Sequence, residues 1–214
     1  MMMSIRRATR QYCYVALMGE DIDNQSAASV GANDAIAKPI DPEAVQKIIL
    51  SAKNFLDYSK LLSDISEDFP SAGGVIAKSA FNQLFLSSID RGWRYVEKTY
   101  ILSVSIDNFE DIKALDGDQH ALYGASKLAH HLVRLRRQSD VIGQVRENEY
   151  CLLLQRTANE NEAEEAAKRF TANLQEIDDF IPAEGNSLKI KVALTELPSG
   201  RLAYEHTLLK QASA

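Results

Sequence analysis

Val141-Ile-Gly-Gln-Val-Arg-Glu-Asn-Glu-Tyr-Cys-Leu-Leu-Leu154 is the stretch from which the fold can be predicted most directly. It contains two apolar runs, Val141 to Val145 and Glu149 to Leu154, separated by a short polar turn. Two such runs joined by so few residues are typical of neighbouring antiparallel strands. We therefore expect a β-hairpin over residues 141–154.

On both sides of this hairpin the hydrophobic pattern alternates between helix and strand. Helices are predicted around Phe81–Ile89, Leu122–Val133 and Ala163–Leu174, and strands at Tyr100–Ile106 and Leu188–Leu194. The order after residue 75 is helix, strand, helix, hairpin, helix, strand. This order predicts an α+β fold, in which helices flank an antiparallel-rich sheet.

The N-terminal part of the chain has a different organisation. Short apolar runs at Tyr14–Met18 and Ala35–Ala37 predict strands, with a weak polar, Ala-rich helix at Asp21–Val30 between them. Asp41-Pro-Glu43 then opens a long helix, because aspartate is a good N-cap and proline is tolerated in the first turn. The Gly- and Pro-containing segment 64–75 marks a boundary, which gives units of residues 1–63 and 64–214.

The long helix carries a seam of side chains at alternating three- and four-residue steps. The seam comprises Val45, Ile48, Ala52, Phe55, Ser59 and Leu62, and it is widened by Ile49 and Leu56. Because it spans fewer than three heptads, two interpretations stay open. The helix pairs with a second copy as a coiled coil, or it packs as an ordinary amphipathic helix on its own domain.

Composition excludes several classes of partner. The net charge of -6 argues against a nucleic-acid surface, which needs clustered Lys and Arg. No apolar run is long enough to cross a membrane, and no secretory signal precedes Tyr14. Cys13 and Cys151, the only cysteines, lie in apolar runs and are expected to be buried thiols. We expect a cytoplasmic protein of bacterial type.

Three motifs resemble those of the GGDEF domain, the diguanylate cyclase family. Ser105-Ile-Asp-Asn-Phe109 resembles the family's Asp-x-Asp-x-Phe, and Arg137-Gln-Ser-Asp140 resembles its Arg-x-x-Asp. Gly143-Gln-Val-Arg-Glu-Asn-Glu-Tyr150 resembles its Gly-x-x-Gly-Gly-Asp-Glu-Phe, and residues 105–150 align without a gap. The resemblance covers residues 68–212 and implies the family's nucleotide-cyclase-like fold. It also places the start of the family's last helix at Leu208-Leu-Lys-Gln-Ala212.

The N-terminal unit resembles the last third of a response-regulator receiver domain. Gly31-Ala-Asn-Asp-Ala-Ile-Ala-Lys-Pro39 is similar to the Gly-Ala and Lys-Pro pattern before that family's last helix; a plain strand-to-helix turn is the alternative. Lys38 matches the lysine that contacts the phosphoryl group, whereas Met18 stands where the switch Thr or Ser would be. The chain has no room for the phosphoacceptor strands. The resemblance thus implies a partial α/β receiver, not phosphorylated, followed by a long linking helix.

The catalytic positions implied by the GGDEF resemblance have lost their charge. Joining two GTP molecules needs divalent cations, which bind carboxylate oxygens, but Ser105 and Asn148 stand at the two principal ligand positions. Arg146 and Glu147 replace the two glycines that let the family's backbone approach the phosphates. Lys113 and Leu122 occupy the guanine-reading positions. We therefore predict no catalytic residue, no metal ligand and no cofactor.

One nucleotide-binding motif is retained. Arg137 and Asp140 match the family's inhibitory site for cyclic di-GMP, where an Arg fork reads guanine O6 and N7 and a carboxylate accepts from N1 and N2. We expect Arg137 in the last helical turn and Asp140 just beyond it. Arg169 matches a third residue of that site if one residue is inserted after the hairpin. The alternative is structural: Arg137 complements the helix dipole or pairs with Asp140, which caps the turn.

Three hypotheses for function follow. The first is a non-catalytic cyclic di-GMP receptor or regulatory module, which binds the ligand at Arg137, Asp140 and Arg169 and biases association through the 45–62 helix. The second is a ligand-free scaffold that binds a protein partner or forms a homodimer. The third, a remote one, is an active diguanylate cyclase.

Overall fold

The computed structural model describes residues 13–154, 161–176 and 187–211. The N-terminal unit consists of β1 (Ala16–Gly19), α1 (Asn24–Ser29), β2 (Asp34–Ala37) and α2 (Pro42–Ser63). Strands β1 and β2 pair in parallel, as a strand–helix–strand unit does. Helix α2 begins as expected: the Asp41 carboxylate accepts a hydrogen bond from the backbone N–H of Glu43, and Pro42 occupies the first turn.

The second unit is an α+β fold built on five antiparallel strands, which confirms the predicted fold class. Its elements are α3 (Lys78–Tyr95), β3 (Thr99–Ile106), α4 (Phe109–Asp116), α5 (Asp118–Leu135), β4 (Val141–Arg146), β5 (Glu149–Leu154), α6 (Glu162–Glu176), β6 (Ser187–Leu197) and β7 (Leu202–Gln211). The strand order is β4-β5-β3-β6-β7, and the predicted hairpin forms its β4–β5 edge.

The two faces of the sheet are covered by different helices. Side chains alternate along β3, so that Leu102 faces the cluster formed with α4, α5 and α6. Ile101 faces the opposite cluster, which contains residues of α2 and α3. The sheet is therefore the middle of three layers, and α2 belongs to the layer that covers the Ile101 face.

Helix α2 packs on its own chain. Phe55 and Leu62, at the centre and end of the predicted seam, are fully buried in one cluster with Phe81 and Ile101. The structure thus favours the amphipathic-helix interpretation, because these two side chains are not accessible to a second copy. Ile49 remains 61% exposed on the outer side of the helix.

The N-terminal unit is joined to the turn between β6 and β7. The Tyr14 hydroxyl donates to the carbonyl of Ser199 at 2.7 Å, and the Asn33 side-chain amide donates to the carbonyl of Pro198 at 2.8 Å. Gly200 has φ +76°, and a Cβ there would lie 2.2 Å from the carbonyl oxygen of Ser51. The turn therefore lies against Tyr14, Asn33 and α2, so the predicted boundary at 64–75 separates segments that pack together.

Three expectations need correction. Residues 109–116 form a helix that the sequence pattern did not indicate, separated from α5 by Gly117 at φ +85°. Leu208–Gln211 continue strand β7 instead of starting a helix, because they pair with β6 through Leu208 and Ile190; Ala212 lies outside the described residues. Cys151 is buried as expected, but Cys13 is only half-buried.

Candidate functional site

The end of β3 and the hairpin turn bring together Ser105 and Asn148, the two positions that the resemblance assigns to metal ligands. Ser105 lies opposite Glu149 in the register of β3 and β5. One residue further, the backbone N–H of Ile106 donates to the carbonyl of Asn148 at 3.0 Å, and the Asn148 side-chain amide donates to the carbonyl of Ile106 at 2.8 Å. Asn148 therefore ties the turn to the strand end by two hydrogen bonds.

The two side chains at the former glycine positions are held in ion pairs. The Arg146 guanidinium pairs with Glu149, and Glu147 pairs with Lys113 at 2.5 Å. Lys113 also lies over the ring of Phe109, 4.9 Å from its centroid. These contacts fix side chains on both sides of the turn, in the space that the glycines would leave open.

Glu149, one of the two acidic residues retained here, lies deep in the site. Its exposed fraction is only 8%, and this burial raises its pKa, while the neighbouring Arg146 acts in the opposite direction. The other retained acid, Asp107, donates its backbone N–H to the carbonyl of Lys189 at 2.8 Å. The charge of the Glu149 carboxylate is thus already balanced by the Arg146 guanidinium, which pairs with it.

The donor set does not fit the divalent cations that the family's reaction needs. Ser105 and Asn148 offer no negative charge, and the Asn148 amide nitrogen points to a carbonyl oxygen. Across the parts of the chain that the structure describes, no group of three or more His, Cys, Asp or Glu side chains could hold a metal ion.

Leu122, at one of the two positions that the resemblance assigns to guanine reading, lines a cavity of about 340 Å³ between α5 and the hairpin. Leu122 and Ala125 contribute its apolar wall, and Tyr150 closes it by donating its hydroxyl to the carbonyl of Ala125 at 3.0 Å. Lys113, at the second of these positions, is engaged by Glu147. An alkyl side chain at Leu122 cannot accept hydrogen bonds from a guanine edge.

The retained Arg-x-x-Asp motif forms a turn between α5 and β4, which we call the 137–140 turn. Helix α5 ends at Leu135, so Arg137 lies beyond the helix and not in its last turn as expected. The Asp140 carboxylate accepts from the backbone N–H of Arg137 at 3.1 Å, and the Asp140 N–H donates to the carbonyl of Arg137 at 3.1 Å. Arg136 adds a bond to the carbonyl of Asp140 at 2.7 Å. Asp140 caps the turn, as the structural alternative requires.

The two side chains of the motif differ in exposure. Asp140 is buried, and burial raises its pKa, against the effects of the Arg137 backbone N–H and of the Arg137 and Arg169 charges. The Arg137 side chain is 52% exposed and pairs with Glu162 at the start of α6, not with Asp140. Glu162 raises the pKa of the Arg137 guanidinium.

Arg169, the third residue predicted for the ligand site, lies near the motif and acts on it through its charge. Its charge acts on Asp140, and its guanidinium lies 5.9 Å from the ring centroid of the neighbouring Phe170. The structure therefore brings Arg137 and Asp140 into one turn and Arg169 within electrostatic reach. The sequence pattern missed Glu162, because it lies 25 residues from Arg137 and no local spacing relates the two.

Comparisons with known proteins agree with this fold. The family model described as "Diguanylate cyclase, GGDEF domain" matches residues 71–212. Among curated proteins, none matches the sequence significantly. None of the helices within residues 13–154 and 161–176 is both long and apolar enough to span a bilayer.

Solved structures of similar fold include three GGDEF domains. The domain of DgcB from Caulobacter crescentus, in complex with c-di-GMP, has 13% identity and a TM-score of 0.50, covering 64% of this chain and 82% of that one. The domain of TpbB, or YfiN, from Pseudomonas aeruginosa has 18% identity and a TM-score of 0.46, with coverages of 56% and 70%. The active GGEEF domain of a diguanylate cyclase from Vibrio cholerae has 18% identity and a TM-score of 0.42, with coverages of 52% and 69%. At such identities the likeness concerns the fold alone. The family model, in contrast, spans well over half of the sequence, and the chain belongs to the GGDEF domain family.

Proposed function

We propose that this chain is a non-catalytic, regulatory member of the GGDEF family that binds cyclic di-GMP at the 137–140 turn. Ser105 and Asn148 supply no charge for a metal ion, and Arg146 and Glu147 fill the turn where substrate phosphates would approach. A cytoplasmic signalling role in a cyclic di-GMP pathway accords with the family and with the charge of the chain.

The receptor proposal rests on a difference between the two side chains of the 137–140 turn. Asp140 is fixed by backbone hydrogen bonds, whereas the Arg137 guanidinium remains half exposed and pairs with Glu162. An exposed ion pair contributes little and can open at low cost. Arg137 can therefore exchange Glu162 for a guanine edge or a phosphate while Asp140 stays in place.

A calorimetric titration with cyclic di-GMP tests this proposal. The wild-type protein is expected to bind, and Arg137→Ala to lose binding because the guanidinium fork is removed. Arg134→Ala is the matched control, since it removes an exposed arginine from the last turn of α5 without touching the motif. Loss of binding in both variants would assign the effect to overall charge, and unchanged binding in Arg137→Ala would contradict a role for this guanidinium.

A ligand-free scaffold is the second candidate, and one observation favours it. The N-terminal unit, which we propose to be a receiver remnant, is docked on the GGDEF domain through Tyr14 and Asn33. Ile49 and Leu50 on α2 are 61% and 60% exposed, which leaves apolar surface for a protein partner or a second copy. Absence of heat with cyclic di-GMP, together with a stable complex or dimer through α2, would support this candidate over the receptor.

A further inference from the structure

A polar cavity of about 360 Å³ lies between α2 and the sheet, on the face opposite α5 and α6. Asn54, Asp57 and Tyr58 of α2 form one wall, and Ser103 and Ser105 of β3 lie on the other. Its volume is within the range of small-molecule pockets, which is about 300–1,000 Å³. It is separate from the 137–140 turn, so nothing about cyclic di-GMP binding depends on it.

The floor of this cavity is polar where the same face of the sheet is otherwise apolar. Alternate residues of β3 share a face, and the fully buried Ile101 is followed on that face by Ser103 and Ser105. Thr195 of β6 is also buried here, and the Tyr58 hydroxyl is hydrogen-bonded to Ser103 and to Thr195. Burying polar groups is costly unless they form hydrogen bonds. A polar floor therefore favours an occupant that can form hydrogen bonds over an apolar one.

The charges that line the cavity are largely paired with one another. Arg146 is engaged by Glu149, and Lys191 pairs with Glu205 at 2.5 Å. Paired groups still offer N–H donors and oxygen lone pairs, but they leave little net charge to attract an ion. With Asp57 as a further acid in the lining, a phosphorylated ligand would meet repulsion.

We propose that this cavity binds a small neutral molecule rich in hydroxyl groups, of the size of a monosaccharide. The walls offer both donors and acceptors: the Asn54 amide, the Ser105 hydroxyl and the ion-paired side chains of Arg146 and Lys191. Leu61 and Leu202 at the edge supply apolar surface for the ring carbons. Ser105, which stands at a metal-ligand position of the family, is thus part of a neutral polar site.

The test is a calorimetric titration of the full chain with three neutral probes: glucose, ribose and myo-inositol. At least one is expected to bind at concentrations up to about 10 mM, and ribose 5-phosphate to bind more weakly than ribose, its neutral counterpart. Asn54→Leu and Ser105→Val, on opposite walls, are each expected to weaken binding about two- to tenfold, the usual effect of losing one hydrogen bond. Gln46→Leu is the matched control, since Gln46 is exposed on the same helix.

Melting curves of the variants without ligand establish that each is folded, and the two cavity variants give independent readings. The proposal is overturned if no neutral probe binds, if a charged analogue binds more tightly than its neutral counterpart, or if the folded cavity variants bind like the wild type.

Discussion

The Asn148 side-chain amide donates a hydrogen bond to the backbone carbonyl of Ile106 at 2.8 Å, and the backbone carbonyl of Asn148 accepts a hydrogen bond from the Ile106 N–H. The residue at a metal-ligand position of the family therefore serves as a structural tie between the hairpin turn and the end of β3. A carboxylate could not donate this bond, and it would place negative charge against a carbonyl oxygen.

Asn148→Asp is consequently expected to destabilise the protein by about 1–3 kcal/mol, the cost of an unsatisfied partly buried group. Neither this variant nor the wild type should form cyclic di-GMP from GTP with Mg²⁺ or Mn²⁺, because Ser105 stays uncharged and Glu147 remains in the turn. Denaturant unfolding and product chromatography are the two measurements. Turnover by the wild type that disappears in Glu149→Gln would refute the non-catalytic account.

Phe55→Ala should lower the free energy of unfolding by about 3–5 kcal/mol, because it removes a fully buried aromatic ring from the cluster under α2. Leu56→Ala is the matched control, since Leu56 is 40% exposed one residue along the same helix, and it should cost less than about 1 kcal/mol. Denaturant titration at several protein concentrations gives both values. If Phe55→Ala instead left stability unchanged and altered only the sedimentation coefficient, α2 would be an interchain helix after all.

Much of the fold could be predicted because strong local signals coincide with elements. Asp41 and Pro42 mark the start of α2, and the apolar runs around the polar turn mark β4 and β5. Strand β7 was missed because apolar and polar residues do not alternate at its end: Leu208 and Leu209 are adjacent, and the pair resembled a helix start, although Leu208 is buried and Leu209 is 57% exposed. Helix α4 was missed because it is only eight residues long and begins at Phe109, the last residue of the Ser105–Phe109 motif.

The candidate site was predictable only in part. Motif spacing located Ser105, Asn148, Arg137 and Asp140, and the hairpin register does bring Ser105 beside the turn. The partners of these residues come from elsewhere in the fold. Glu162 on α6 and Tyr58 on α2 reach their sites through tertiary packing, which no sequence period encodes.

The stability contributed by Glu149 should depend on pH in a definite direction. Burial raises its folded-state pKa, so the folded protein binds the proton more tightly than the unfolded chain does. This contribution to stability is fully present below the unfolded-state pKa, near 4.5. It is lost as pH rises from that pKa to the higher folded-state pKa. Glu149→Gln cannot titrate. The wild-type free energy of unfolding, minus that of the variant, should therefore fall as pH increases through this window; a flat or rising difference would contradict the burial argument.

Glu162→Gln is expected to strengthen cyclic di-GMP binding by about two- to fivefold, because it releases the Arg137 guanidinium and removes a negative charge beside an anionic ligand. Glu164→Gln is the control: it removes a carboxylate from the same first turn of α6 that pairs with Lys168. Equal effects of the two changes would reduce the result to bulk electrostatics. Weaker binding in Glu162→Gln would mean that Glu162 contacts the ligand itself.

Equilibrium binding of cyclic di-GMP and of cyclic di-AMP shows whether the 137–140 turn reads guanine. The wild type is expected to bind cyclic di-GMP much more tightly, since adenine presents a donor where guanine presents the O6 acceptor for Arg137. Arg137→Lys, which keeps the charge but loses the fork, should weaken cyclic di-GMP binding by about tenfold to a hundredfold. Equal affinity for the two dinucleotides, or no effect of Arg137→Lys, would contradict the account and leave the scaffold as the better explanation.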